Sequence, residues 1–101
     1  MRVRYTEPAA IDLEENISYL RDNAPAVVAA FADSIDDAVR QLLEHPYSAQ
    51  ETEQRGIRRK YIRRFRYAVF YTVEGDEVVI LHIRHAARRW PWEAESKQEE
   101  S

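Results

Sequence analysis

The sequence predicts an α+β fold in which one antiparallel sheet carries a helical hairpin on one face. Three observations lead there. Residues 10–42 hold two apolar stripes at helical spacing, separated only by a short break ending in Pro25. Residues 57–83 change to strand-type patterning, with an alternating run, a Glu74-Gly75-Asp76 turn and a nearly continuous apolar run. Residues 2–5, Arg-Val-Arg-Tyr, add a short alternating segment ahead of the helices.

Taken in order, Val3 and Tyr5 share one face of a first strand. Thr6 is placed to cap a helix whose first turn holds Glu7 and Pro8, positions that tolerate a negative charge and a missing N–H. Ala10, Leu13, Ile17 and Leu20 form its apolar stripe, with Glu14, Glu15 and Asp22 off it. The helix ends near Asn23-Ala24-Pro25, since the residue before a proline avoids the helical region. Val28, Phe31, Ile35, Ala38 and Leu42 mark a second helix, widened by Val27, Val39 and Leu43, which stops at Glu44-His45-Pro46. So short a connection implies an antiparallel pair.

Residues 46–55 are polar and aperiodic, and read as a loop. Ile57–Ile62 reads as a strand, Arg63-Arg64 as a tight connection, and Phe65–Val73 as a second strand with Phe65, Tyr67, Val69, Tyr71 and Val73 on one face. Gly75 can take the positive φ of a hairpin turn. Val78–Ile83 is apolar on both faces, as in a central strand. The expected order is strand, helix, helix, strand, strand, strand, in one domain over residues 1–92 with a polar tail at 93–101.

The formal net charge of −3 is unevenly spread. Residues 1–54 carry four basic and eleven acidic residues, whereas residues 55–92 carry ten basic and three acidic ones. A basic segment on an acidic chain suggests an anionic partner or a solvated edge. No cysteine is present, which removes disulfides and thiolate chemistry and fits a reducing cytoplasm. Met1-Arg2-Val3-Arg4 lacks the apolar run of a secretory signal, and no apolar stretch is long enough to span a bilayer.

The chemistry-bearing residues are few. His45 sits at a helix end and suits the last carbonyls. His82 and His85 lie three apart on a strand, so they face opposite sides and do not form one metal site or one acid–base pair. His82 is expected beside the core. His85, next to Arg84, is open to a general-base role or to plain hydrogen bonding. Asp33, Asp36 and Asp37 read as a solvated helix face rather than metal ligands. No metal or cofactor motif occurs. Arginines interleaved with Tyr61, Phe65, Tyr67, Phe70, Tyr71, Trp90 and Trp92 suit either nucleic-acid contact or a protein interface.

Arg64-Phe65-Arg66-Tyr67-Ala68-Val69-Phe70-Tyr71-Thr72-Val73, the Gly75-Asp76 turn, Val78–Ile83, and His85-Ala86-Ala87-Arg88-Arg89 with Pro91 and Trp92 resemble the C-terminal half of RelE/ParE-superfamily toxins. The element order extends the resemblance over residues 1–92. It implies the toxin of a type II toxin–antitoxin pair, in the cytoplasm, causing growth arrest or plasmid stabilisation and neutralised in a complex with its antitoxin. Two activities recur in the superfamily. RelE-like members cut mRNA on the ribosome; ParE-like members inhibit DNA gyrase.

RelE-like nucleases carry an arginine three residues before the tyrosine that Tyr71 matches, and that position is Ala68. No tyrosine follows Tyr71. Arg66, expected on the same face as Ala68, is a possible substitute. For a nuclease the candidates are Lys60, Arg64, Arg66, His85 and Arg88. For a gyrase inhibitor, which the resemblance favours, the target-binding candidates are Arg84, His85, Arg88, Arg89, Trp90 and Trp92. An inactive binding module of the same fold is the third reading.

Overall fold

The computed structural model describes residues 1–85, so the expectations placed on residues 86–101 lie outside the described residues. Strand β1 (Arg2–Tyr5) leads through Thr6 into helix α1 (Glu7–Asn23). A 3-10 turn at Pro25–Val27 opens helix α2 (Val28–Glu44). Strands β2 (Gln50–Glu51), β3 (Arg58–Ile62), β4 (Tyr67–Glu74) and β5 (Glu77–His85) follow. They form one sheet in the order β1-β5-β4-β3-β2. The β3–β4–β5 meander is antiparallel, and β1 joins parallel to β5, so the sheet is mixed and β5 is central over its first half.

The N-terminal cap of α1 is as the residues predict, whereas α2 starts three residues after Pro25 without a side-chain cap. Thr6 Oγ1 accepts from Ala9 N at 3.3 Å. On α2 the buried residues Phe31, Ile35, Ala38, Val39 and Leu42 fall on one face. They pack with Ile62, Tyr67, Val69, Tyr71, Val78, Ile80 and Ile83 of the sheet. The Phe31 ring meets Tyr67 at 4.8 Å and Phe65 at 5.6 Å, both edge-on. Each fully buried side chain of this size contributes on the order of 2 kcal/mol. Tyr71 donates to Pro46 O at 2.8 Å and so ties the segment after α2 to the core. Burial pushes the Tyr71 phenol above its ordinary pKa of 10.0.

The mixed sheet stands in place of the antiparallel one the sequence predicts, because β1 adds parallel to β5, and four further details depart from the sequence reading. The 46–55 loop contains β2, which pairs with β3 through Gln50–Arg59 and Glu51–Arg58. The connection between β3 and β4 takes four residues, Arg63–Arg66, rather than two, so Phe65 and Arg66 are in a turn and not on a strand. Arg66 adopts φ 57°, a left-handed conformation that costs a non-glycine residue about 1–2 kcal/mol. Its side chain therefore does not share the regular alternation that would set it beside Ala68. Finally, Ala10 is exposed, and α1 buries Ala9, Asp12 and Asn16, with Leu13, Ile17 and Leu20 only half-buried.

The shift on α1 has a physical cause. β1 ends at Tyr5, opposite Ile80, while β5 runs on to His85. From Leu81 onward β5 has no strand on that edge among the described residues, yet buried backbone polar groups must be paired. Thr6 donates its N–H to Ile80 O at 3.0 Å, and its hydroxyl lies 2.8 Å from the same oxygen and 3.2 Å from Leu81 O. Asp12 Oδ2 accepts from Ile83 N at 3.0 Å, and Asn16 Nδ2 donates to Ile83 O at 3.2 Å. Residues four apart on a helix stack on one face, so Asp12 and Asn16 together present an acceptor and a donor, as a strand residue would. An apolar face turned to β5 could not do this.

Removing the carboxylate leaves the Ile83 N–H without its partner in a buried setting. Asp12→Ala is expected to lower unfolding free energy by about 2–3 kcal/mol in urea titration. Asp12→Asn, which keeps an acceptor oxygen, is expected to lose less. A loss below about 0.5 kcal/mol for Asp12→Ala would show that water serves the edge equally well.

Candidate functional site

The distal half of β5 gathers the polar groups. A bulge lies at Leu81, because the register passes from Tyr71–Ile80 to Phe70–His82. Beyond it His82 is opposite Phe70, Arg84 opposite Ala68 and His85 opposite Tyr67. Tyr67 belongs to the core under the helices, so His85 shares that face, while His82 and Arg84 share the other with Phe70 and Ala68. The two histidines are on opposite faces, as their spacing predicts.

Both are held through α1. His82 Nδ1 is 3.1 Å from Asp12 Oδ2; since a carboxylate only accepts, Nδ1 is the donor and Nε2 is the other ring position. The same oxygen is 3.5 Å from Arg84 Nε. That distance makes an ion pair, but the alignment gives no hydrogen bond, and the buried Arg84 Nε has no hydrogen-bond partner among the described residues. Asn16 Oδ1 accepts from the Tyr67 hydroxyl at 3.3 Å, and the Tyr67 ring meets the His85 ring edge-on at 5.2 Å. One helical turn thus sets His82, Arg84 and, through Tyr67, His85.

Asp12 and Asn16 were not singled out from sequence, and Tyr67 was read only as one of the interleaved aromatics. A signal existed: Asp12 and Asn16 are an i, i+4 polar pair beside Leu13 and Ile17, inside the apolar arc of the helix. Of the target-binding candidates, the structure brings Arg84 and His85 to adjacent positions on β5, and Arg88, Arg89, Trp90 and Trp92 lie outside the described residues. The nuclease candidates are spread out. Lys60 and Arg64 line a cleft of about 490 Å³ against α2, with Asp33, Asp37 and Gln41. His85 is across β4 from that cleft, roughly 10 Å away at the usual strand spacing. Arg66 is in the turn, and Arg88 is outside the described residues.

Other sequence-marked positions are plainly structural. His45 is exposed at the end of α2, where its N–H donates to Gln41 O at 2.8 Å. Asp33, Asp36 and Asp37 are exposed. Among the described residues no cluster of three or more His, Asp or Glu is placed to hold a metal ion, and no helix is long and apolar enough to cross a membrane.

A second surface lies on α1. Tyr5, Ala10, Leu13, Glu14, Ile17, Ser18 and Arg21 line a groove of about 520 Å³ that is mostly apolar. Ile11 and Tyr19, also on α1, are 45% and 57% exposed. Burial, and secondarily the nearby Asp36 charge, raises the Tyr5 pKa above 10.0.

The fold and sequence both have relatives. The chromosomal ParDE toxin–antitoxin system from P. aeruginosa contains a chain that superposes with a TM-score of 0.74 at 23% identity, covering 84% of this chain and 95% of that one. The isolated E. coli RelE toxin matches with a TM-score of 0.60 at 14% identity over 99% and 98% of the two chains. YoeB from Staphylococcus aureus, solved as a dimer, gives 0.57 at 12% identity over 89% and 98%. These likenesses are of fold. No curated protein matches the sequence. The family model for the ParE toxin of the type II toxin–antitoxin system parDE matches residues 3–90. With that match running from β1 through the whole sheet, the chain belongs to the ParE toxin family of type II toxin–antitoxin systems.

Proposed function

We propose that this toxin acts by binding DNA gyrase directly and inhibiting it, and that it cuts no RNA. The observation that carries the reading is Ala68. At the position where RelE-like nucleases hold an arginine, this chain has a methyl group, 2% exposed, between Tyr61 and Arg84 across the sheet. A transition-state cation typically supplies about 10²–10³ in rate. Arg66, the one substitute the sequence offered, sits in the β3–β4 turn. The endonuclease reading keeps one foothold, since Arg84 is the cross-strand neighbour of Ala68; its Nε, however, is turned toward Asp12. The gyrase-contacting surface in this reading is Arg84 and His85 together with Arg88, Arg89, Trp90 and Trp92, residue types that anchor protein interfaces.

The antitoxin partner fits the α1 groove. An amphipathic helix laid into it would cover Ala10, Leu13 and Ile17 and place polar residues against Glu14 and Arg21 at the rim.

Each reading has a direct test. Purified toxin added to a gyrase assay is expected to block supercoiling, while mRNA in a translating extract stays intact. Cut mRNA with normal supercoiling would make the chain an endonuclease, and neither effect would make it an inactive module. For the groove, Ala10→Arg places a charge at an exposed position where the fold tolerates it. It is expected to weaken antitoxin binding at least about tenfold, because the charge is buried only in the complex. Unchanged affinity by calorimetry would move the antitoxin elsewhere.

A further inference from the structure

From Arg55 to Arg66 the chain carries six arginines, one lysine and no acidic residue. The structure places all of them but Arg55, which precedes the strand, on β3 and in the turn to β4. Cations elsewhere are largely paired: Arg2, Arg4, Arg40 and Arg84 each have a carboxylate at 3.1–3.5 Å. Lys60, Arg63, Arg64 and Arg66 form no ion pair within 4.0 Å among the described residues. Arg58, by contrast, is engaged in donating to Tyr47 O and Ala49 O.

The turn is also held firmly. Arg66 N donates to Arg63 O at 3.3 Å. The Arg64 guanidinium stacks over the Phe65 ring at 5.2 Å, and Phe65 in turn packs edge-on against Phe31 of the core. Arg66 occupies φ 57°, where glycine or asparagine is the ordinary choice. A strained conformation kept with an arginine points to a use for the charge at that position.

We infer that the Arg63–Arg66 turn, with Lys60 beside it, is a contact surface for the phosphate backbone of duplex DNA. Arginine forks match phosphate oxygens in pairs. Duplex rather than single-stranded nucleic acid is indicated by the aromatics. Single strands are held by rings on which bases stack. Here the Phe65 ring is already covered by Arg64 and Phe31, and Tyr61 is the remaining exposed ring of this segment. The inference requires no gyrase, so it stands or falls separately from the target reading.

The test uses the full chain, without antitoxin, and a fluorescent duplex of about 30 base pairs, read by anisotropy at several salt concentrations. Four phosphate contacts give a slope of log K against log salt near about −3.6, or roughly a 100-fold loss between about 50 and about 200 mM salt. Arg63→Gln with Arg66→Gln is expected to reduce the slope by about 2. Lys60→Gln with Arg63→Gln, which leaves the strained position intact, is expected to do the same. The charge-matched pair Arg2→Gln with Arg40→Gln is expected to leave the slope unchanged. Equal effects from all three pairs, or no binding by the parent chain, would overturn the inference. Tighter binding to the single strand, or equal competition by a poly-glutamate peptide, would likewise overturn it, in favour of single-stranded nucleic acid or an acidic protein.

Discussion

The structure depends on an unfinished sheet edge. β1 supplies four residues and stops, while β5 continues for five more positions past Ile80. Backbone groups in a buried strand that lack a partner cost as much as a lost hydrogen bond. Thr6, Asp12 and Asn16 take the place of the missing strand. This fixes how α1 lies on the sheet and why its buried face includes an acid and an amide. It also leaves part of the apolar stripe, Leu13 and Ile17, only half covered.

The same contacts connect fold to function. Asp12 reaches three groups of β5, the Ile83 N–H, the His82 ring and the Arg84 guanidinium, so a carboxylate needed for backbone pairing also positions the side chains of His82 and Arg84. Asn16 does the corresponding work for His85 by way of Tyr67. The end of β5 is therefore tied to α1 through Asp12, Asn16 and Tyr67, and Ala68, paired with Arg84, carries no charge. The charge asymmetry follows the layers: α1 and α2 are acidic, and β3 with its turn is basic.

Much of this was legible in the residues. Period-3.6 stripes marked both helices, Thr6 and Pro25 marked their starts, and the apolar run at Val78–Ile83 marked the central strand. What was not legible is what local pattern cannot carry. Asp12 and Asn16 pair with Ile83 across separations of 71 and 67 residues, and nothing near them in sequence announces an open strand edge. The alternation of Phe65, Tyr67 and Val69 continues through a point where the backbone turns, because Phe65 reaches the core from the turn itself. Two-residue β2 is too short for any period. The polar cluster at the end of β5 was half visible: Arg84 and His85 were named, but the contacts from α1 that orient them were not.

The central claim is that side chains of α1 act as the missing strand of β5. Amide hydrogen exchange at Ile83 tests it most directly. In the parent chain the Ile83 amide is expected to be protected to nearly the level of the β4 amides. In Asp12→Ala it is expected to exchange about 100-fold faster or more, with β3–β4 protection retained under conditions where the chain stays folded. An Ile83 amide that exchanges freely in the parent chain, or one equally protected after the substitution, would contradict the account.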